Sequence, residues 1–409
     1  MIRQESNSNK SVESLFVTKR RILMVGEIDF SKDDAPKIHF FNLAINFDKL
    51  GYRTRVLVYS PQNKLREEET SLININFVPN PLTGNKISRS FKYLLIIPFV
   101  VFEIFSFKPH LVYFRFSPPA FLYTFIIKLY RFFSCNYKIV VEFNDWVSDQ
   151  RKIQGESKFK AKIIEFLQLR SVFFVDYARV VTQGIKRKLC SFKVVCDKIF
   201  VVENGTDVNH FKPINRSKAK TNIGLNPDFL YVGFIGNFAI WQGLETFLNS
   251  IPRILKIRGN VRFILVGDGP EMRKIRNKIS RFKNKEVVLT GRVPYKEAGK
   301  YINAFDIGVA PFIRERNESI GLSPLKIRDY AACGVPIITT RISGLEIVEK
   351  KEIGLLVPPD DSDTLSAAII KLIENPALRK KMGKKGRKVA EELFSWEFIA
   401  KKILKMIKI

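Results

Sequence analysis

Leu230-Tyr-Val-Gly233-Phe-Ile-Gly236-Asn237-Phe-Ala-Ile-Trp-Gln242-Gly243-Leu244 is the stretch from which the fold can be read. A short apolar run of strand length ends in glycine, and a helix pattern opens near Leu244. Strand, glycine turn and helix in that order make the first half of a βαβ unit. Glycine at the turn lets the backbone approach a phosphate, and the free amides of the following helix can bind it. Ordinary turn chemistry produces the same pattern, so at this point both readings stand.

The rhythm repeats on either side. Toward the C-terminus, strands are expected at Val261–Gly267, Val287–Thr290, Ile307–Ala310, Pro336–Thr339 and Gly354–Val357. Helices fall between them from Pro270, Tyr295 and Pro324, then at Asp363–Glu374, Pro376–Leu393 and Trp396–Ile409. Toward the N-terminus, Ile22–Val25, Arg55–Val58, Leu111–Phe116, Lys138–Glu142, Arg179–Thr182 and Ile199–Val202 read as strands, with a helix at Ile38–Leu50. The pattern breaks at Glu203-Asn-Gly-Thr-Asp207 and Pro213, and residues 216–228 are polar. The expected organisation is a polar tail (1–18), a first domain (19–205), a second (206–393) and a final helix (394–409). The fold class is α/β: two doubly wound, Rossmann-like domains facing each other across a cleft, where ligands sit outside the carboxyl ends of the strands.

Composition agrees with a globular chain of two or three domains, at about 150 residues per domain. Hydrophobic residues make up 46% of the 409 and charged residues 27%. Lys+Arg 69 against Asp+Glu 40 gives a net charge of +29, spread over both halves. That excess favours an anionic partner, or reflects a basic proteome. No zinc-finger spacing, basic zipper or ribonucleoprotein motif is present, so nucleic acid is not the expected partner. Cys135, Cys190, Cys196 and Cys333 are too few and scattered for a disulfide framework, and a reducing cytoplasm is the expected setting. With only His39, His110 and His210, a histidine-rich metal site is not expected. The longest apolar run, Tyr93 to Phe102, is too short to span a bilayer.

Two further motifs carry chemistry. Gly267-Asp-Gly269-Pro270-Glu271 is a capped turn facing the same cleft as Gly236. In Gly321-Leu-Ser323-Pro324-Leu325-Lys326-Ile-Arg-Asp329-Tyr-Ala-Ala-Cys-Gly334, Ser323 reads as N-cap and Pro324 as the first helical residue. Lys326 in the first turn adds positive charge to the positive end of the helix dipole, and nothing acidic in that turn offsets it. A bound diphosphate would offset it. Asp329, three residues on, is placed to accept hydrogen bonds from sugar or ribose hydroxyls. A solvated Lys–Asp surface pair is the competing reading.

The segments Val202–Pro213, Val232–Gly243, Leu265–Glu271, Ala304–Pro311, Ser323–Pro336, Gly354–Asp360 and Phe394–Trp396 together resemble the group 1 family of retaining glycosyltransferases with the GT-B fold. The match runs through residues 200–409 in order and is thinner before them. The resemblance implies a nucleotide-sugar donor held by the second domain, transfer with retention, no metal at the diphosphate, and a last helix crossing back to the first domain. On that basis the donor site is expected at Gly236, Asn237, Gln242, Gly243, Gly267, Gly269, Arg292, Ser323, Pro324, Leu325, Lys326 and Asp329. Candidate catalytic residues are Asp329, Lys326, Glu318 and Asp145.

There are departures. Asn237 and Gln242 stand where the family often has basic residues. Of its two carboxylates eight residues apart, the first falls on Gly321, leaving Glu318 as the nearby acid, and the second is the shorter Asp329. Asn144 replaces a histidine-bearing position, and Glu142 or Asp145 is expected to face the acceptor.

From Thr83 to Val141 there are eight basic residues and one acid, Glu103, among dense Phe, Ile and Leu. This is either a core helix or an interface with an anionic membrane. The sequence thus points to a glycosyltransferase peripheral on the cytoplasmic membrane face, with a lipid-linked or polysaccharide acceptor. A nucleotide-sugar epimerase and a catalytically impaired glycan- or membrane-binding subunit are the alternatives.

Overall fold

Seven parallel strands build the first sheet: β1 (Arg21–Asp29), β2 (Arg53–Tyr59), β3 (Asn74–Val78), β4 (Leu111–Arg115), β5 (Lys138–Phe143), β6 (Tyr177–Val180) and β7 (Ile199–Val201). Their order is β3-β2-β1-β4-β5-β6-β7. Six more build the second: β8 (Leu230–Ile235), β9 (Val261–Val266), β10 (Val287–Gly291), β11 (Ile307–Ala310), β12 (Ile337–Thr340) and β13 (Gly354–Val357), in the order β10-β9-β8-β11-β12-β13. The computed structural model describes residues 20–29, 35–59, 73–78, 96–117, 120–133, 136–153, 155, 157–192, 195–283 and 286–409. The tail 1–18, Cys135 and the first part of the basic aromatic region (79–95) lie outside the described residues.

Parallel strands covered on both faces read as unbroken apolar runs, which is why the sequence shows them. Each sheet has a core on either side: β1 alone sends Leu23 and Val25 to one and Ile22 and Met24 to the other. In each sheet the strand order reverses at one point, between β1 and β4 and between β8 and β11. In doubly wound sheets such points are where ligands bind, beyond the carboxyl ends of the strands.

Several features differ from the sequence reading. β3, an edge strand alternating Asn with apolar residues, was not anticipated. The helix starting at Pro376 ends at Val389 and continues as one π turn, Ala390–Phe394. Cys190 and Cys196, expected to be free, form a disulfide with Cα atoms 5.5 Å apart. The turn after the Gln183–Cys190 helix brings them together.

The chain passes between the sheets twice, and the two passages are sewn together. Thr206 N donates to Phe394 O (2.7 Å) and Trp396 N to Thr206 O (3.3 Å). The Trp396 ring lies against Gly205 so closely that a Cβ there would sit 2.7 Å from it. The Trp396–Met406 helix then packs on the Ala35–Lys49 helix, burying Trp396, Ile399 and Ile403 among Phe40, Leu43 and Phe47. Ser395 caps it, its hydroxyl accepting from Phe398 N at 3.2 Å.

Truncating Trp396 to Ala should cost about 3–5 kcal/mol, the range for deleting a large buried aromatic. Phe398→Ala, on the exposed side of the same helix, should change little. Urea unfolding followed by circular dichroism compares the two, and equal losses would contradict this packing.

Candidate functional site

Lys326 is the centre of the site at the β8/β11 reversal. It lies one residue inside the Leu325–Ala332 helix, and only 9% of it is exposed. Its ammonium donates to Gln242 Oε1 (2.8 Å) and stands 3.7 Å from the centroid of the Phe234 ring. A methyl group on Gly236 would come within 2.8 Å of Nζ. Gly236 also has φ +142, a backbone region closed to side-chain-bearing residues, so both space and conformation require glycine there. Burial drives the Lys326 pKa well below its ordinary value, and the Asp329 carboxylate only partly opposes this.

The glycine turns expected at the site do converge. A Cβ on Gly267 would collide with Gly236 O, and one on Gly269 with Asn237 Oδ1. Gly267 N donates to Gly291 O (2.8 Å), which sets Arg292, the next residue, beside this turn. Gly243 opens the Leu244–Ile257 helix with its α-carbon against Pro311 O, just past β11. Gly236, Gln242 and Lys326 therefore meet although they lie up to 90 residues apart in sequence.

The start of the Leu325–Ala332 helix differs from expectation. Pro324 is the N-cap and makes no side-chain capping bond, so the first amides lack a side-chain acceptor. Ser323 does not cap because it is used elsewhere: its hydroxyl accepts from Asn204 N at 3.1 Å, in the passage from the first domain.

Asp329 is half-buried and faces that same passage. One carboxylate oxygen accepts from Thr206 Oγ1 at 2.6 Å, and the other has no hydrogen-bond partner among the described residues. Burial raises its pKa to about 7, against the Thr206 hydroxyl and Arg328, which lower it.

The remaining candidates are placed differently. Glu318 sits on the short Asn317–Ile320 helix, where its carboxylate is exposed and paired with Arg314 at 2.8 Å. Gly321 has φ +70, and a Cβ there would lie 2.9 Å from Ser343 O and 3.4 Å from Thr182. Backbone and packing both exclude a carboxylate side chain at that position.

Asp145 spans the cleft to Arg316, which offers both its oxygens a guanidinium nitrogen and stacks over the Trp241 ring at 5.0 Å. Glu142, expected at the acceptor, is instead fully buried with Arg179 (2.6 Å) and His39 (2.8 Å). Burial disfavours its charge, yet His39 and Arg179 hold its carboxyl well below the ordinary range. Sequence reasoning missed Thr206, Asn204, Arg179, His39, Arg316 and Trp241. Their partners are distant in sequence, and a strand-end Glu and Arg gave the only hint. Among the described residues no three His, Cys, Asp or Glu come together as a metal-ion set.

Comparison with known proteins bears on this geometry. A family model for "Glycosyl transferases group 1" matches residues 230–375, and one for "Glycosyltransferase Family 4" matches residues 37–210. An uncharacterised glycosyltransferase of Methanocaldococcus jannaschii is 29% identical over 238 residues, 56% of this chain and 60% of that protein. The GDP-mannose-dependent monoacylated alpha-(1-6)-phosphatidylinositol monomannoside mannosyltransferase of Corynebacterium glutamicum is 25% identical over 213 residues, 50% of this chain and 55% of that one. The matches thus span less than two thirds of these relatives' length. Sucrose-phosphate synthase from Thermosynechococcus elongatus superposes with a TM-score of 0.77 at 19% identity, covering 95% of this chain and 98% of that chain, and so shares the two-domain fold.

Two pH-dependent outcomes follow. Burial lowers the Lys326 pKa and a bound diphosphate would raise it, so diphosphate binding should be linked to proton uptake by this group, and Lys326→Met should remove that component. Calorimetry in buffers of different ionisation enthalpy reads this. Asp329, with its pKa raised from 3.8 to about 7, holds a proton in the folded state that the unfolded chain has lost. Its contribution to stability is therefore full below 3.8 and is lost as pH rises through about 7. Thermal melts across that window should show a shallower decline for Asp329→Asn.

Proposed function

The chain belongs to the group 1 glycosyltransferases of GT-B fold, and we propose that it transfers a sugar, with retention, from a nucleoside diphosphate sugar to a lipid-linked or polysaccharide acceptor. The observation that carries this is the buried Lys326 ammonium set between Gly236 and a helix start without a side-chain cap. Cleavage of the bond between the anomeric carbon and the diphosphate leaves charge on phosphate oxygens. In a water-poor site, oriented amides and an ammonium stabilise that charge strongly. The acceptor hydroxyl forms the new bond to the anomeric carbon and its proton leaves with the diphosphate oxygen. Because a diphosphate is a good leaving group, this reading needs neither a strong general acid nor a metal ion.

Asp329 offers its second oxygen to a hydroxyl of the ribose or sugar, while Thr206 holds the first. Asp145 stands on the acceptor side, tied to Arg316. The corynebacterial relative's name specifies GDP-mannose and a monoacylated phosphatidylinositol monomannoside, which supports a nucleotide-sugar donor and a lipid-borne acceptor here. No helix among the described residues is long and apolar enough to cross a membrane, and the reading places the protein peripherally on the cytoplasmic face. One observation favours a second reading, an impaired glycan-binding subunit: the backbone and packing at Gly321 exclude an acid there, and Glu318 is exposed and paired with Arg314.

Lys326→Ala should weaken nucleoside diphosphate binding by about 1.5–3 kcal/mol, the range for hydrogen bonds to charged groups. Asp329→Asn should spare inorganic diphosphate and weaken the sugar nucleotide. Calorimetry on UDP, GDP, ADP and their sugars tests both variants. If Lys326→Ala binds as well as the parent, the anion-site reading is wrong. Donor left unconsumed by a protein that binds it tightly supports the subunit, and donor converted without nucleotide release indicates an epimerase.

A further inference from the structure

The helices covering one face of the first sheet leave a broad apolar surface in solvent. The Lys158–Ser171 helix buries Ala161, Ile164, Gln168 and Ser171, and exposes Phe159, Ile163 and Phe166 along the opposite stripe. Its neighbour, Ala120–Tyr130, buries Tyr123 and Ile127 and exposes Phe125 and Leu129. The turn beyond it carries Phe132 and Phe133, which are 80% and 87% exposed. The two helices pack together, and the Phe121 and Phe125 rings meet Phe174 at 5.5 and 5.1 Å, so the surface is continuous. Among the described residues no phenylalanine between 206 and 393 is exposed in this way. The feature belongs to this face.

Among the described residues the fully exposed charges on these two helices are positive. Lys158, Lys160 and Lys162 are exposed and form no ion pair among the described residues. Arg170 stacks over Phe166 and Phe173 at 5.0 and 5.6 Å. The acids nearby are engaged: Glu165 accepts from Trp146 Nε1 at 3.0 Å and Asp176 from Arg131 at 2.7 Å. Protruding phenylalanines rimmed by unpaired lysines match the boundary between acyl chains and anionic headgroups. A symmetric dimer through this face would set the lysines against their own copies, which like-charge repulsion opposes.

We propose that the Ala120–Tyr130 and Lys158–Ser171 helices form a docking face for an anionic bilayer. Phe132, Phe133, Phe159 and Phe166 enter the acyl boundary, and Lys158, Lys160 and Lys162 meet the headgroups. The proposal deepens the membrane-side reading above and rests on it for its purpose, but it is tested without sugar transfer, so either can fail alone.

The full chain is floated with vesicles of phosphatidylcholine, with and without phosphatidylglycerol. It should bind only the anionic vesicles, and less as salt rises. Phe159→Ser/Phe166→Ser and Lys160→Glu/Lys162→Glu should each lower the partition by about tenfold or more. Phe398→Ser, on the Trp396–Met406 helix that covers the other face of the sheet, should leave it unchanged. All variants should melt with the parent and bind nucleoside diphosphate as the parent does, because these side chains are exposed and outside the donor site. Equal binding to neutral vesicles, indifference to both double substitutions, or a dimer in light scattering that they dissociate would overturn the proposal.

Discussion

Arg179 is a guanidinium with no access to water, and the relation between the two domains depends on what it binds. Its Nε donates to Val202 O (3.0 Å), one terminal nitrogen to Glu142 Oε2 (2.6 Å) and Tyr113 OH (3.1 Å), and the other to Glu203 O (2.7 Å). Burying such an ion costs several kcal/mol unless its geometry is nearly complete, and breaking a buried pair by removing one partner typically costs about 3–5 kcal/mol. Here the pair does more than offset its own desolvation. Val202 and Glu203 are leaving the sheet, where their carbonyls would otherwise lack partners, and Arg179 supplies them. Asn204, next in line, passes the constraint on through Ser323 to the start of the Lys326 helix.

The second passage back reinforces the first. The bridge between Thr206 and Ser395 makes the two connecting segments a minimal parallel pair, with Trp396 filling the space that glycine leaves at 205. At the cleft rim the contacts are of another kind. Thr182 Oγ1 donates to Ile320 O, Gly184 packs directly on the Ile320 backbone, and Arg316 reaches Asp145. The connecting side joins these backbone bonds to the buried Arg179 cluster, whereas the rim joins the buried Thr182 contact to an ion pair in which Arg316 is buried and Asp145 partly exposed.

Much of this was legible in the sequence because parallel strands and glycine turns obey local rules. β8, β9 and β11 were readable as apolar runs, and Gly236 and Gly267 as the turns after them. β3 was not, because an edge strand alternating Asn with Ile and Phe buries too little to show a run. The Lys158–Ser171 helix was hidden by its charge. Lys326 was visible through a local conflict, a cation at the positive end of a helix. Several of the errors at the site share one cause: they concern partners far apart in the chain. Ser323 has cap chemistry, but an amide 119 residues earlier takes its hydroxyl. Asp329 meets Thr206 at a separation of 123, and Glu142 meets Arg179 at 37. Composition and spacing do not encode such meetings.

The geometry around Lys326 is consistent with the proposed anion site despite its few charges. Burial acts on Lys326 and Asp329 in opposite directions, lowering one pKa and raising the other, and each charge partly offsets the other's penalty. Phe234 and the Gln242 carbonyl oxygen compensate the ammonium further, a cation over an aromatic face being worth roughly 0.5–2 kcal/mol. None of these groups is a full counter-ion. The ammonium is therefore only partly neutralised by its protein neighbours, and on the proposed reading a diphosphate supplies the remaining charge. At Gly321 the chain has a backbone conformation and a packing that exclude any acid. On the proposed reading, the strongest electrostatic interaction available to Lys326 is with the phosphate of the donor, which favours the state in which the leaving group carries most charge.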